Sequence, residues 1–262
     1  MKLHISTKRI SALVISSALL CIAGTSYATL VEGFESGLGA NDAIIGDAGI
    51  QGTYFGIAPT QGSNQLLLTT INSTAGSADA NAGYTNQSGH NSVTAASLNT
   101  FFNVNPGAIK DGSTTGKQGS GFTINLGALS AGQTIAFDYN FLTQEPNNGT
   151  GNTDFAFYTL TNQSGVTVVT DVLSATANTP GSTDPFGSQT NYHTLSINIA
   201  ASGNYTLGIG VVDSGSPSTD DAPSALLVDN IQTNAAVPEP TTIAFCIAGA
   251  ALLGALRIKR RS

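Results

Sequence analysis

The chain has 262 residues, no tryptophan, two cysteines and a formal net charge of −7. Between Thr29 and Ala236, fifteen carboxylates face only Lys110 and Lys117, a net charge of −13, and that span holds no cysteine. So few cations exclude a surface that neutralises nucleic-acid phosphates, and the missing thiols exclude a disulfide framework, a thiolate metal site and a cysteine nucleophile.

At the N-terminus, Lys2, Lys8 and Arg9 precede an apolar run from Ile10 to Ala23 and the small-x-small element Ser26-Tyr27-Ala28. This order predicts a signal peptide over 1–28, a helix in the membrane, cleaved between Ala28 and Thr29. The remaining span, 29–236, is long enough to bury its own core as one β-sandwich.

Within that span the apolar residues come in short runs with no amphipathic helical period. The clearest strand is Thr134 to Leu142, where Ile135, Phe137, Tyr139 and Phe141 alternate with Thr134, Ala136, Asp138 and Asn140. A slip of one residue would expose all four large side chains, so the register is predicted to be firm. Asp154 to Leu160 repeats the pattern, and residues 147–152 between the two strands read as a long hairpin loop. Further strands are predicted at 65–71, 122–126, 166–173, 195–199, 205–212 and 225–231. Turn-rich stretches are predicted at 72–89, 111–121, 174–191 and 213–224, and an irregular segment at 40–64. Many short strands with no helical crossover predict an all-β chain, an antiparallel β-sandwich or jelly roll.

Pro238 and Pro240 end the domain in an extended linker. The uncharged run from Thr241 to Leu256 would span about 24 Å as a helix at ~1.5 Å per residue, short for a bilayer core but workable if the flanking cations snorkel. Arg257, Lys259, Arg260 and Arg261 close the chain and are predicted to stay in the cytoplasm.

Val237-Pro238-Glu239-Pro240, the apolar run 241–256 and the basic end 257–262 together resemble the PEP-CTERM sorting signal of Gram-negative bacteria. The resemblance implies an exosortase-type membrane protease as partner, a transient stay in the inner membrane, a cut near Pro238-Glu239-Pro240, and a final place at the cell surface or in an exopolysaccharide-rich biofilm matrix. An ordinary C-terminal membrane anchor is the plainer reading of the same residues.

The ectodomain resembles a recurrent cargo domain borne by such tails, through Phe137 to Thr143, Asp154 to Phe157, Tyr205 to Asp213 and Ser224 to Asn230. Its ends, Gly33-Phe34-Glu35-Ser36-Gly37 and Leu227-Val228-Asp229-Asn230, also resemble those of jelly-roll carbohydrate-binding modules. That resemblance implies that first and last strands meet and that Glu35 and Asp229 help hold a structural Ca²⁺. The chain departs from it in Asn230, where many relatives carry a second aspartate, and in its lack of tryptophan for stacking on sugar.

Two further groups of oxygen ligands suit Ca²⁺ by chemistry alone: Asp138, Glu145 and Asp154 around one strand-loop-strand unit, and Asp213, Asp220 and Asp221 in one loop. Solvated loop carboxylates are the plain reading of both. Catalysis has little footing. His90 and His193 are the only histidines of the span, and neither a G-x-S-x-G elbow nor an H-E-x-x-H pair occurs. The expected role is structural or adhesive, linked to exopolysaccharide. Two alternatives stay open. One is a glycan-binding module using Tyr54, Phe55, Tyr84 and Tyr192 as its stacking platform. The other is a glycoside-active enzyme using Glu145 and Asp154.

Overall fold

The computed structural model describes residues 28–145, 154–162, 167–174, 179–180, 186–215 and 222–234. The signal segment, the helix expected over 241–256, the sorting tail, Asp220 and Asp221 lie outside them. Among the described residues no helix is long and apolar enough to cross a membrane.

In chain order the elements are β1 (Ala28–Glu32), β2 (Asp42–Ile45), β3 (Asp47–Gln51), β4 (Gln65–Thr69), α1 (Ala78–Ala82), β5 (Val93–Thr94), α2 (Ala95–Phe101), β6 (Lys110–Asp111) and β7 (Thr114–Thr115). There follow β8 (Gln118–Leu129), β9 (Thr134–Thr143), β10 (Phe155–Asn162), β11 (Thr167–Ser174), β12 (Thr179–Pro180), β13 (Ser188–Gln189), β14 (His193–Asn198), β15 (Gly203–Asp213) and β16 (Ser224–Asn234).

These strands build two antiparallel sheets. The first runs β12-β13-β9-β16-β4-β3, with β1 added on β16 and β14 on β9; the second runs β11-β10-β15-β8-β2, with β5 added on β8. The first and last strands meet, with Thr29 opposite Thr233 and Leu30 opposite Gln232. Cleavage at the expected site after Ala28 would remove only the terminal Ala28–Asn234 pair from that ladder.

The main core lies between the sheets, as expected of a β-sandwich. Ile135, Phe137 and Phe141 of β9, Leu66 and Leu68 of β4 and Leu226, Val228 and Ile231 of β16 face Phe122 and Ile124 of β8, Leu160 of β10 and Leu207, Ile209 and Val211 of β15. Each such side chain contributes roughly 1.5–3 kcal/mol over its exposed state.

Both outer faces are also partly covered. Tyr54, Phe55, Ile57, Tyr192 and Phe186 cover Leu67, Leu142, Ala225 and Leu227 on the first sheet. Leu98 and Phe102 of α2, with Ile109, cover Phe155, Phe157 and Val212 on the second. This second layer explains why Leu66-Leu67-Leu68 is a continuous apolar run, since alternate residues serve cores on opposite faces.

Several expectations need correction. Residues 40–64 are not merely irregular, because β2 and β3 form there and pair with β8 and β4. Their short runs carry too little apolar periodicity to be read alone. No hairpin joins β9 to β10: β9 pairs with β13, β14 and β16, whereas β10 pairs with β11 and β15, so the chain crosses between sheets there. The polar face of β9 is not solvated either. Asp138 is 8% and Asn140 1% exposed, with Thr60, Thr194, Gln189 and Thr190 bonded over them. Finally, the stretch expected to be all turn holds α1, capped by Ser77, and α2 follows β5 directly, capped by the Thr94 hydroxyl on Ser97 N.

Candidate functional site

The outer face of the second sheet carries a cavity of about 330 Å³. Register decides its lining. Gly208 of β15 pairs with Thr123 and Thr159, and Thr206 pairs with Asn125 and Thr161. Directly opposed residues share a face, so two polar rows stand side by side and point away from the core. The end of α2 supplies a wall of Phe101, Phe102 and Asn103; Asn162, Asn204 and Tyr205 close the other end.

Phe102 can lie against the sheet only because glycine stands beneath it. A Cβ on Gly208 would sit 2.6 Å from Phe102 Cδ1, and one on Gly121 2.8 Å from Phe102 Cε2. The cavity is therefore uncharged, rich in hydroxyl and carboxamide groups that both donate and accept hydrogen bonds, and rimmed by half-buried Phe101. The sequence shows these threonines and asparagines only as the polar beats of strands; nothing in it aligns β8, β15 and β10.

The carboxylates resolve into cross-strand pairs. On the first sheet Asp138 stands directly opposite Asp229. The Thr60 hydroxyl lies 2.8 Å from Asp138 Oδ2 and 3.1 Å from Asp229 Oδ2. Gln61 N donates to Asp229 Oδ2 at 2.7 Å, Asn230 N to Asp229 Oδ1 at 2.7 Å, Thr194 Oγ1 to Asp138 Oδ1 at 2.5 Å and Asn230 Nδ2 to Asp138 Oδ2 at 3.0 Å. Burial raises the Asp229 carboxyl above the usual aspartate range, while the Gln61 and Asn230 amides pull it back. Glu35 is exposed and accepts from Ser63 N at 2.8 Å and Asn64 N at 3.0 Å. Glu35 and Asp229 thus grip successive amides of one loop. These donors occupy Glu35 Oε1 and both Asp229 oxygens.

The second pair joins residues that sequence spacing had put in separate groups. Phe155 of β10 lies opposite Val212 of β15, and Asp154, just before β10, lies within electrostatic reach of Asp213 at the end of β15. Asp154 is 1% exposed; its Oδ1 accepts from Ser214 N at 3.1 Å. Its Oδ2 and the neighbouring Ser214 Oγ are buried with no hydrogen-bond partner. Burial, and then the Asp213 charge, push the Asp154 carboxyl well above the usual range; Glu145 adds a smaller push. The Ser224 hydroxyl lies near enough to oppose the rise, yet it donates to Thr143 Oγ1 at 2.7 Å. Asp138 is not in this group, being on the other sheet. Among the described residues no three histidine, cysteine, aspartate or glutamate side chains converge as a metal cluster. Asp154, expected to pair with Glu145 in a glycoside-active enzyme, is buried.

Of the expected stacking aromatics, Tyr54, Phe55 and Tyr192 pack on the outer face of the first sheet. Tyr54 and Phe55 meet edge to face at 4.3 Å and Phe55 meets Phe186 at 4.9 Å. The Tyr54, Tyr84 and Tyr192 hydroxyls donate to Gln87, Gln144 and Gln65. His90 and His193 are exposed; His193 lies beside the Tyr139 ring at 5.9 Å.

No curated protein matches the chain. Solved structures that it resembles include TmCBM61 in complex with β-1,4-galactotriose, at 8% identity over 77% of this chain and 92% of that one, TM-score 0.39. Another is the K1 cleaved adhesin domain of Lys-gingipain from Porphyromonas gingivalis W83, at 11% identity over 81% and 99%, TM-score 0.39. A third is the CBM22-1 xylan-binding domain of Paenibacillus barcinonensis Xyn10C, at 14% identity over 83% and 98%, TM-score 0.38. At the other end of the chain, residues 236–261 match the PEP-CTERM protein-sorting motif, and the protein carries the tail of an exported protein processed at the membrane.

Proposed function

We propose that this is a Gram-negative surface or matrix protein that exosortase-type processing releases outside the inner membrane, where its acidic β-sandwich has a structural and adhesive role by holding polysaccharide. The observation that carries the sorting half is the match of residues 236–261 to the PEP-CTERM motif. The cavity on the second sheet supports the polysaccharide half. Its Thr and Asn rows offer paired donors and acceptors to sugar hydroxyls, and Phe101 offers an apolar edge. With no charged residue in the lining and a strongly acidic ectodomain, a neutral glycan suits it better than an anionic one.

Affinity electrophoresis of the detergent-purified full chain through gels containing neutral polysaccharides tests this. Retardation is expected, and the double variant Thr161→Val, Thr206→Val should weaken it about tenfold. These changes keep the shape but strip hydroxyls, leaving sugar hydroxyls unpaired at about 1–1.5 kcal/mol. Equal mobility in every gel, or retardation that the variant leaves unchanged, would overturn the glycan reading.

A further inference from the structure

The sandwich brings aspartates close together at two places, and treats the two differently. Like charges placed directly opposite on neighbouring strands repel, and burial makes the repulsion worse. The Asp138–Asp229 pair is surrounded by donors: the Thr60 and Thr194 hydroxyls, the Gln61 and Asn230 amides and the Asn230 carboxamide. Asp154 is not provided for in that way. Asp213 Oδ2 accepts from Gln118 Nε2 at 2.9 Å and Oδ1 from Gly215 N at 2.5 Å. Asp154 Oδ2 is left open in a position 1% exposed, and Ser214 Oγ, also buried, is open beside it. Glu145, just past β9, adds a third negative charge within electrostatic reach.

We propose that Asp154, Asp213 and Ser214 form a binding site for a hard divalent cation of calcium size, which links the start of β10 to the end of β15. A calcium ion takes oxygen ligands only, and accepts carboxylates, hydroxyls, backbone carbonyls and water in flexible geometry. Asp154 Oδ2 and Ser214 Oγ are buried oxygens of that kind with no hydrogen-bond partner, and the Asp213 carboxylate lies within electrostatic reach of Asp154. A bound divalent ion would cancel the charge of the two aspartates, which no hydroxyl could do. The site is independent of the glycan reading and of Glu35 with Asp229.

Thermal melts of the full chain in detergent, first with chelator and then with roughly 0.1–10 mM Ca²⁺, which spans weak extracellular calcium sites, test it. A ligand that binds only the native state raises the melting temperature. The wild type should rise with Ca²⁺ and the variant Asp154→Asn should not. Ser214→Ala, which keeps both carboxylates, should need about tenfold more Ca²⁺ for the same rise. Asp138→Asn, in the pair supplied with donors, should keep the full response. Equilibrium dialysis with radioactive calcium should count an ion per chain that Asp154→Asn loses. A wild type that does not respond, or Asp154→Asn and Ser214→Ala variants that respond like it, would overturn the site.

Discussion

At the scale of single residues, the polar side chains do most of the local organising. Glu32 illustrates how. Its carboxylate accepts from Phe34 N at 2.5 Å and so helps hold Phe34 at φ 60, a left-handed conformation unusual for a bulky residue. In that conformation the Phe34 ring is fully buried, edge-on to Phe122 at 5.6 Å. Burial raises the Glu32 carboxyl above the usual glutamate range; the Phe34 amide opposes the rise and Asp42 adds to it. A raised folded-state value means that the folded chain holds the proton more tightly than the unfolded chain. Stability therefore falls as pH rises through the range between the two values, and stays lower above it. Glu32→Gln keeps the acceptor for Phe34 N and loses the charge. It should stabilise the protein at pH 7.5 by ~0.3–0.5 kcal/mol, the scale of a solvent-screened charge pair, and by less near pH 4. Urea denaturation at the two pH values measures the difference.

Elements were legible in the sequence to the degree that their burial is one-sided. β9 was plain because Ile135, Phe137 and Phe141 face one core in strict alternation. β2, β3 and the short helices were not, because each depends on a partner distant in sequence. α2 is seven residues long, too short to hold together in water on propensity alone. It exists because Leu98 and Phe102 lie on a second, outer core and because Gly121 and Gly208 leave room for the Phe102 ring. Its Thr94 cap bonds Ser97 N at 3.4 Å. Thr94→Ala should cost ~0.5–1 kcal/mol, measurable as a lowered urea midpoint with an unchanged slope. Because α2 walls the cavity with Phe101 and Phe102, the same change should also weaken any polysaccharide retardation.

On the scale of the whole molecule, a cysteine-free acidic sandwich and a sorting tail divide the work of the chain. The sandwich draws its stability from three apolar clusters rather than from covalent links. The tail decides the destination. If processing follows the motif, mass spectrometry of surface-exposed protein should find a C-terminus upstream of Thr241, near Pro238-Glu239-Pro240. An intact Arg261-Ser262 end on that material would show a permanent anchor instead.

By itself the sequence determined the class of the fold, the acidic cysteine-free character of the ectodomain, and the sorting motif at its end. All three are local: alternation along a strand, composition, and a contiguous tail. Tertiary structure alone decided which strands are neighbours. It separated β9 from β10 into different sheets, aligned Thr123, Thr206, Thr159 and Thr161 along one face, set Asp138 against Asp229 and brought Asp154 near Asp213. Sequence spacing groups Asp154 with Asp138, sixteen residues apart, whereas the fold brings Asp154 near Asp213, fifty-nine residues on. Antiparallel register places facing side chains together whatever their separation along the chain, and a sequence read in order does not contain that distance.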